Sequence, residues 1–185
     1  GRTIRERSEL ILQTPDRLRK RFDLDVRVRN EVTAIDREAR TVTVRDLEND
    51  LEYTEAYDKL ILSPGATPLR PPIPGLDDPA VFALRNMEDM DRIDAAVTAA
   101  PGGCAVVIGG GFIGLEMAEN LKERGMDVAL AEMLPQVMPG LDPEMAEPIH
   151  EHLREKGVRL LLNNAAGAIE REGDELVVRV SDGNA

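Results

Sequence analysis

Cysteine occurs once, at Cys104, and histidine twice, at His150 and His152. One thiol excludes an internal disulfide framework and a Cys-rich metal site. The two histidines stand two apart on a predicted helix, so they point in different directions and make a poor metal pair; both read as exposed helix residues, and no metal site is expected. No apolar run approaches the ~20 residues needed to cross a membrane, and nothing resembles a signal peptide. A cytoplasmic location without a membrane partner is the expectation. There is no internal repeat and no low-complexity segment. Gly1 rather than Met stands first, and the chain is expected to begin inside a longer polypeptide.

Positive charge is scarce in the second part of the chain. Residues 1–70 hold 14 Lys/Arg and 14 Asp/Glu, whereas residues 71–185 hold 9 and 21, which accounts for the whole net charge of −12. Such a surface repels a phosphate backbone, so nucleic acid is an unsuitable partner. Local basic clusters remain at Arg2, Arg5 and Arg7 and at Arg17, Arg19, Lys20 and Arg21; they read first as a solvated face, and secondly as an anion site. With 42% hydrophobic and 31% charged residues over 185 positions, the rest is ordinary for one globular domain, or one domain with part of another.

Residues 25–63 read as short strands. Val26, Val28 and Val32 alternate, Thr41-Val-Thr-Val44 is β-branched, and Lys59-Leu-Ile-Leu62 is a compact apolar run before Ser63-Pro64-Gly65. Pro64, Pro68, Pro71, Pro72, Pro74 and Gly75 follow, a density that excludes a regular element and marks a domain boundary. Beyond residue 80 strands and helices alternate. Asn86 caps a predicted helix to Ala100, and Cys104–Ile108 is a strand apolar throughout, as when both faces of a parallel sheet are covered. Phe112–Arg124 is a helix stopped by Gly125, and Asp127–Ala131 is the next strand. Asp142-Pro143 starts a helix that runs to Lys156, Val158–Leu162 is a third strand, and Ile169–Val180 is a hairpin turning at Gly173-Asp174. The pattern predicts an α/β fold with a Rossmann-like, doubly wound parallel sheet.

Gly109-Gly110-Gly111-Phe112-Ile113-Gly114 matches G-x-G-x-x-G in the context the motif requires: after a buried strand, opening a helix, with Glu132 closing the next strand. Gly109 permits the tight turn, Gly111 lets the backbone approach a pyrophosphate, and Gly114 allows close packing of the helix. The helix N-terminus offers N–H groups and the positive end of its dipole. Glu132 can accept from the adenine ribose hydroxyls and would repel a 2′-phosphate. Met133, Leu134 and Pro135 add no cation, so NAD(H) is preferred over NADP(H). Glu116, two residues after Gly114, reads equally as a dipole-compensating acid on the first turn or as a cofactor-site residue.

Tyr57-Asp-Lys-Leu-Ile-Leu-Ser-Pro-Gly-Ala66, Phe82-Ala-Leu-Arg-Asn86, Gly109–Glu116, and Leu12-Gln-Thr-Pro-Asp16 followed by Asn30-Glu-Val32 together resemble the FAD-dependent pyridine nucleotide-disulfide oxidoreductases. The branch they resemble contains coenzyme A-disulfide reductases and NADH oxidases and peroxidases. The resemblance covers nearly the whole chain. It implies that residues 1–67 are a β-rich part of an FAD-binding domain and residues 68–185 most of an NAD(P)H-binding Rossmann domain, truncated at its C-terminus. It places Glu116 near the nicotinamide, and Val32, Ser63, Pro64, Gly65 and Ala66 near FAD. In coenzyme A-disulfide reductases a basic residue between the Thr-Pro motif and the next strand meets coenzyme A; the matching position here is Phe22, a departure from that pattern, preceded by Lys20 and Arg21. The resemblance further implies a small-molecule disulfide or peroxide substrate and a homodimer at full length. The family's redox cysteine and first glycine fingerprint are expected upstream of Gly1, leaving no catalytic residue within this chain and the chain alone inactive. A dinucleotide-binding module without chemistry of its own is the alternative from another class.

Cys104 begins its strand, whereas ligands in this fold sit beyond the strands' carboxyl ends; five residues at ~3.3 Å each put it ~16 Å from the pyrophosphate. Cys104→Ser is therefore expected to leave NADH affinity unchanged, as read by titration of the two proteins side by side.

Overall fold

A computed structural model describes residues Arg7–Asp182; Arg2 and Arg5 lie outside them. The chain forms two compact units, Gly1–Gly65 and Ala66–Ala185, each described by itself.

In the first unit, helix α1 (Pro15–Phe22) starts where Thr14 accepts from the Arg17 N–H, with Pro15 at the first helical position. Thr-Pro-Asp is a readable start signal, although the expected elements begin only at residue 25. Strands β1 (Asn30–Asp36), β2 (Thr41–Asp46) and β3 (Leu51–Ala56) form an antiparallel meander in that order. Asp36 and Asp46 each accept two backbone N–H groups of the following turn, and the turns close through left-handed Arg40 and Asp50. Val42 and Val44 on the central strand are the buried residues of this sheet.

Two expectations fail here. Val26 and Val28 precede the first strand, because Arg29 at φ 56° turns the chain immediately before Asn30. Lys59–Leu62 carries no strand: an extended run needs a neighbour for its backbone groups, and this one has no ladder partner among the described residues. Leu60, Ile61 and Leu62 are exposed instead.

Residues 58–73, which run from the first unit into the second, hold no helix or strand, as the prolines require from residue 64 onward. Helix α2 (Met87–Ala99) opens with a reciprocal capping box between Asn86 and Asp89. Three parallel strands follow, β4 (Cys104–Ile108), β5 (Asp127–Glu132) and β6 (Val158–Leu162), ordered β4-β5-β6. Helix α3 (Phe112–Glu123) connects the first pair and α4 (Pro143–Glu155) the second. Gly125 at φ 82° and Gly157 at φ 74° stand just past the two helices, as predicted. Strands β7 (Asn164–Glu172) and β8 (Glu175–Asp182) form the hairpin about Gly173-Asp174, five residues longer at its start than expected. A register irregularity between Ala166 and Ala168 accommodates the extra length.

The core lies where α3 and α4 meet the sheet: Ala118, Leu121, Met126, Val128, Leu130, Val137, Met138, Leu153 and Val158 form one buried cluster. Every residue of β5 after Asp127 is buried, as a central parallel strand demands. β4 departs from the expectation. Its residues alternate, Ala105 and Val107 half-buried against the cluster, Cys104, Val106 and Ile108 exposed. It pairs with β5 alone and is covered on one face, so its apolar composition exceeds what its place in the described residues buries. Arg124 ties α3 to α2 through Asp94 and Thr98.

The capping box satisfies two orphan backbone donors at the start of α2, and losing such a cap costs about 1 kcal/mol. Asn86→Ala should lower the unfolding free energy by that amount, read as a lower urea midpoint with an unchanged slope of the transition.

Candidate functional site

Strand β4 delivers the chain to Gly109, whose φ of 102° strongly favours glycine. Its N–H donates to the Ala131 carbonyl at 2.8 Å, so the turn leaves the sheet while still bonded to β5. Gly114 faces back onto the turn: a Cβ there would stand 1.9 Å from the Gly109 carbonyl oxygen. The close approach expected of Gly114 is thus chiefly to the glycine turn, with Val107 Cγ1 behind it at 3.5 Å. Gly111 occupies the N-cap of α3 and supplies no side-chain bond to it. A Cβ on Gly111 would meet nothing within 4 Å. Open space above a backbone turn, beside the uncapped N-terminus of a 12-residue helix, suits a phosphate oxygen.

Gly110 has a packing role that the motif does not announce. It is buried, and a Cβ there would come within 2.8 Å of Val137 Cγ1. Its carbonyl accepts from the Met138 N–H at 2.8 Å. Its own N–H donates to Glu132 Oε2 at 2.7 Å, while Glu132 Oε1 accepts from the Leu134 N–H at 2.8 Å. Glu132 is 7% exposed. The acid expected as a ribose acceptor is therefore also a brace between the glycine turn and the segment after β5, keeping spare lone pairs for a ligand.

Phe112 and Ile113, at the start of α3, present 73% and 59% of their surface to solvent. Glu116 is exposed on the same helix. The helix begins at Phe112, which makes Glu116 its fifth residue, and no acid occupies its first turn. That corrects the dipole-compensating reading, since the dipole's influence is confined to the first turn.

The structure gathers Gly109–Gly114 and Glu132 into one site. Of the remaining expected residues, Val32 is exposed at the register irregularity of β1, and Ser63, Pro64 and Gly65 are exposed in irregular backbone, Gly65 at φ 76°. Ala66 belongs to the second unit, where its carbonyl accepts from Arg85 Nε. Asp142 takes the N-cap position of α4 without a side-chain capping bond. Cys104 is a free, exposed thiol at the first position of β4.

One histidine is misread by sequence. His152 is exposed, but His150 is 3% exposed. It lies on the stripe Ala146–His150–Leu153 that α4 buries, a spacing of i, i+4, i+7 that was available as a signal.

The description pyridine nucleotide-disulphide oxidoreductase matches residues 3–185. The chain belongs to that family. A coenzyme A disulfide reductase of Staphylococcus aureus (strain JH9) is 34% identical over 179 residues, covering 97% of this chain and 40% of the relative. Reduced CoADR-RHD of Bacillus anthracis superposes with a TM-score of 0.88 at 48% identity, over 96% of this chain and 32% of that one. A water-forming NADH oxidase from Lactobacillus brevis, bound to NADH, has a TM-score of 0.87 at 31% identity, over 98% of this chain and 40% of that one. An engineered NADPH oxidase made from it, bound to NADPH, gives 0.85 at 29%, over 96% and 39%. Its five substitutions replace a glycine, an aspartate, an alanine, a methionine and a proline. Their spacing equals that of Gly114, Glu132, Met133, Leu134 and Pro139 here. The chain thus spans about 40% of the curated relative's length.

Because Gly110 abuts Val137, Gly110→Ala should cost roughly 1–3 kcal/mol by overpacking, read in urea unfolding. Trimming the neighbour, Val137→Ala, should cost less in the Gly110→Ala background than alone.

Proposed function

We propose that this chain is the nucleotide-binding portion of an FAD-dependent NAD(P)H:disulfide oxidoreductase of the coenzyme A-disulfide reductase kind, with NAD(H) preferred over NADP(H). The observation that carries the reading is the pairing of the open Gly111 turn with the buried Glu132 carboxylate bonded to Gly110. The Gly109–Gly114 turn receives the pyrophosphate at the start of α3, through the helix dipole and backbone N–H groups other than those Gly109 and Gly110 give to Ala131 and Glu132. Glu132 meets the adenine ribose, Phe112 and Ile113 offer apolar surface beside the turn, and Glu116 lies toward the nicotinamide. Residues 68–185 form the NAD(P)H domain and residues 1–67 part of the FAD domain.

Val32, Ser63, Pro64 and Gly65 in the first unit, and Ala66 at the start of the second, are each exposed and are read as FAD-facing from the family resemblance; none is a glycine turn at a helix N-terminus. FAD, when bound, supplies the redox relay between nicotinamide and acceptor. For the substrate, a hollow of about 400 Å³ lined by Gln13, Arg17, Lys20 and Arg21 suits the phosphates of coenzyme A. Similarity to an NADH oxidase keeps an oxidase or peroxidase as the second reading. Among the described residues no helix is long and apolar enough to cross a membrane. We read the full-length enzyme as a cytoplasmic homodimer with a small-molecule disulfide or peroxide as substrate, on the strength of the family resemblance.

Residues 133–141 contain no cation, so a 2′-phosphate would meet the Glu132 carboxylate uncompensated. NADH should bind at least tenfold more tightly than NADPH, a difference of ~1.4 kcal/mol. Combining Glu132→Ala, Met133→Arg, Leu134→Ser and Pro139→Arg should reverse the order. Glu132→Ala alone should weaken NADH without admitting NADPH, because it also frees two backbone donors. Parallel titrations with both nucleotides decide it; equal affinity in the unmodified protein would overturn the assignment.

A further inference from the structure

His150 is a buried titratable group on α4 that the dinucleotide reading does not use. Its Nε2 lies 3.1 Å from the backbone nitrogen of Val137. That nitrogen can only donate, so Nε2 must present a lone pair. The proton of the neutral ring then sits on Nδ1, 2.9 Å from Glu147 Oε2, where it donates to the carboxylate. The bond from His150, and a second from Arg154, hold the Glu147 carboxyl below its ordinary range, so it stays ionised and fixes this tautomer. An imidazolium has no lone pair and would set a second N–H against that of Val137.

Val137 is wholly buried and packs directly against Gly110, with the Met138 N–H bonded to the Gly110 carbonyl. Met138 itself has φ 50°, a left-handed conformation that is costly for a residue with a Cβ. Such a segment keeps its shape only while its surroundings impose it. The imposed anchors are Gly110 on one side and His150 on the other.

We propose that His150 is a positioning residue for the dinucleotide cradle: through the lone pair of Nε2 it holds Val137 and Met138 against Gly110, and loss of that acceptor releases them. The consequence for NADH rests on the function proposed above; the coupling itself does not. Facing the ring are Glu147 on its own helix, with Arg154 behind that carboxylate, and the Val137 N–H from the segment after β5. Among the described residues, no charged side chain of β5 or β6 bonds to it.

Two variants separate the acceptor from simple packing. His150→Leu fills the volume and removes the acceptor. His150→Gln keeps a carbonyl oxygen for Val137 and cannot take up a proton. Amide hydrogen exchange of the ligand-free chain reads the coupling directly. In His150→Leu, exchange at Val137 and Met138 should rise roughly tenfold, the scale of a lost buried hydrogen bond, with β5 and β6 unchanged. In His150→Gln it should stay near the unmodified rate. NADH affinity should fall in parallel in His150→Leu and be rescued in His150→Gln. Unchanged exchange in His150→Leu, or an equal rise across β5 and β6, overturns the proposal. Failure of the unmodified chain to bind NADH overturns the dinucleotide reading instead, and leaves the exchange result to decide the role of His150.

Discussion

The carboxylate of Glu132 accepts from Gly110 on one side and from Leu134 on the other, and the cradle depends on that bridge. A turn of three consecutive glycines has little of its own to fix it, since glycine gives up more backbone freedom on ordering than any other residue. The order is imposed from the neighbouring strand. Gly109 is bonded to Ala131, Gly110 to Glu132, and Met138 returns to Gly110. Hydrogen bonds to an ionised acceptor are stronger than neutral ones, and this one is shielded from water. A ligand would therefore meet a turn already in place, with less entropy to lose on binding.

The same carboxylate connects stability to selectivity. An acid at the end of β5 serves the fold by satisfying two donors and serves recognition by its charge. In the NADPH-binding relative the acid at the matching spacing is replaced together with four other residues, two of which become arginine. Removing a brace that also discriminates requires other changes to compensate, and the residues that follow it, Met133 and Leu134, are exposed enough to accept them.

Much of the second unit was legible in the sequence because its signals are local. Asn86, Gly125, Gly157 and Gly173 act through their own backbone neighbourhood, and the glycine motif carries its spacing with it. What sequence misjudged depends on tertiary surroundings. Periodicity could not tell that Cys104–Ile108 is covered on one face among the described residues, since apolar composition states what a strand can bury and not what it does bury. Lys59–Leu62 has strand composition without a ladder partner, and Arg29 ends an alternation that Val26 and Val28 suggested. His150 was read from its residue type as exposed, whereas its place on the Ala146–Leu153 stripe decided its burial. The functional role of Gly110 was equally hidden, because the obstacle to a side chain there is Val137, 27 positions away. Glu116 was misplaced by a single turn of helix, which is enough to remove it from the dipole.

The open side of β4 has a colloidal consequence. Among the described residues its outer edge has no ladder partner, and Val106 and Ile108 add apolar surface beside it, the kind of edge on which a further strand can add. Opposing this is the surplus of acidic residues carried by the same part of the chain, which makes like molecules repel. The repulsion is long-range and the edge contact short-range, so dissolved salt acts on one and spares the other. At ~0.15 M ionic strength the repulsion reaches only ~8 Å. Dilute buffer therefore favours separate molecules, and added salt favours contact between them.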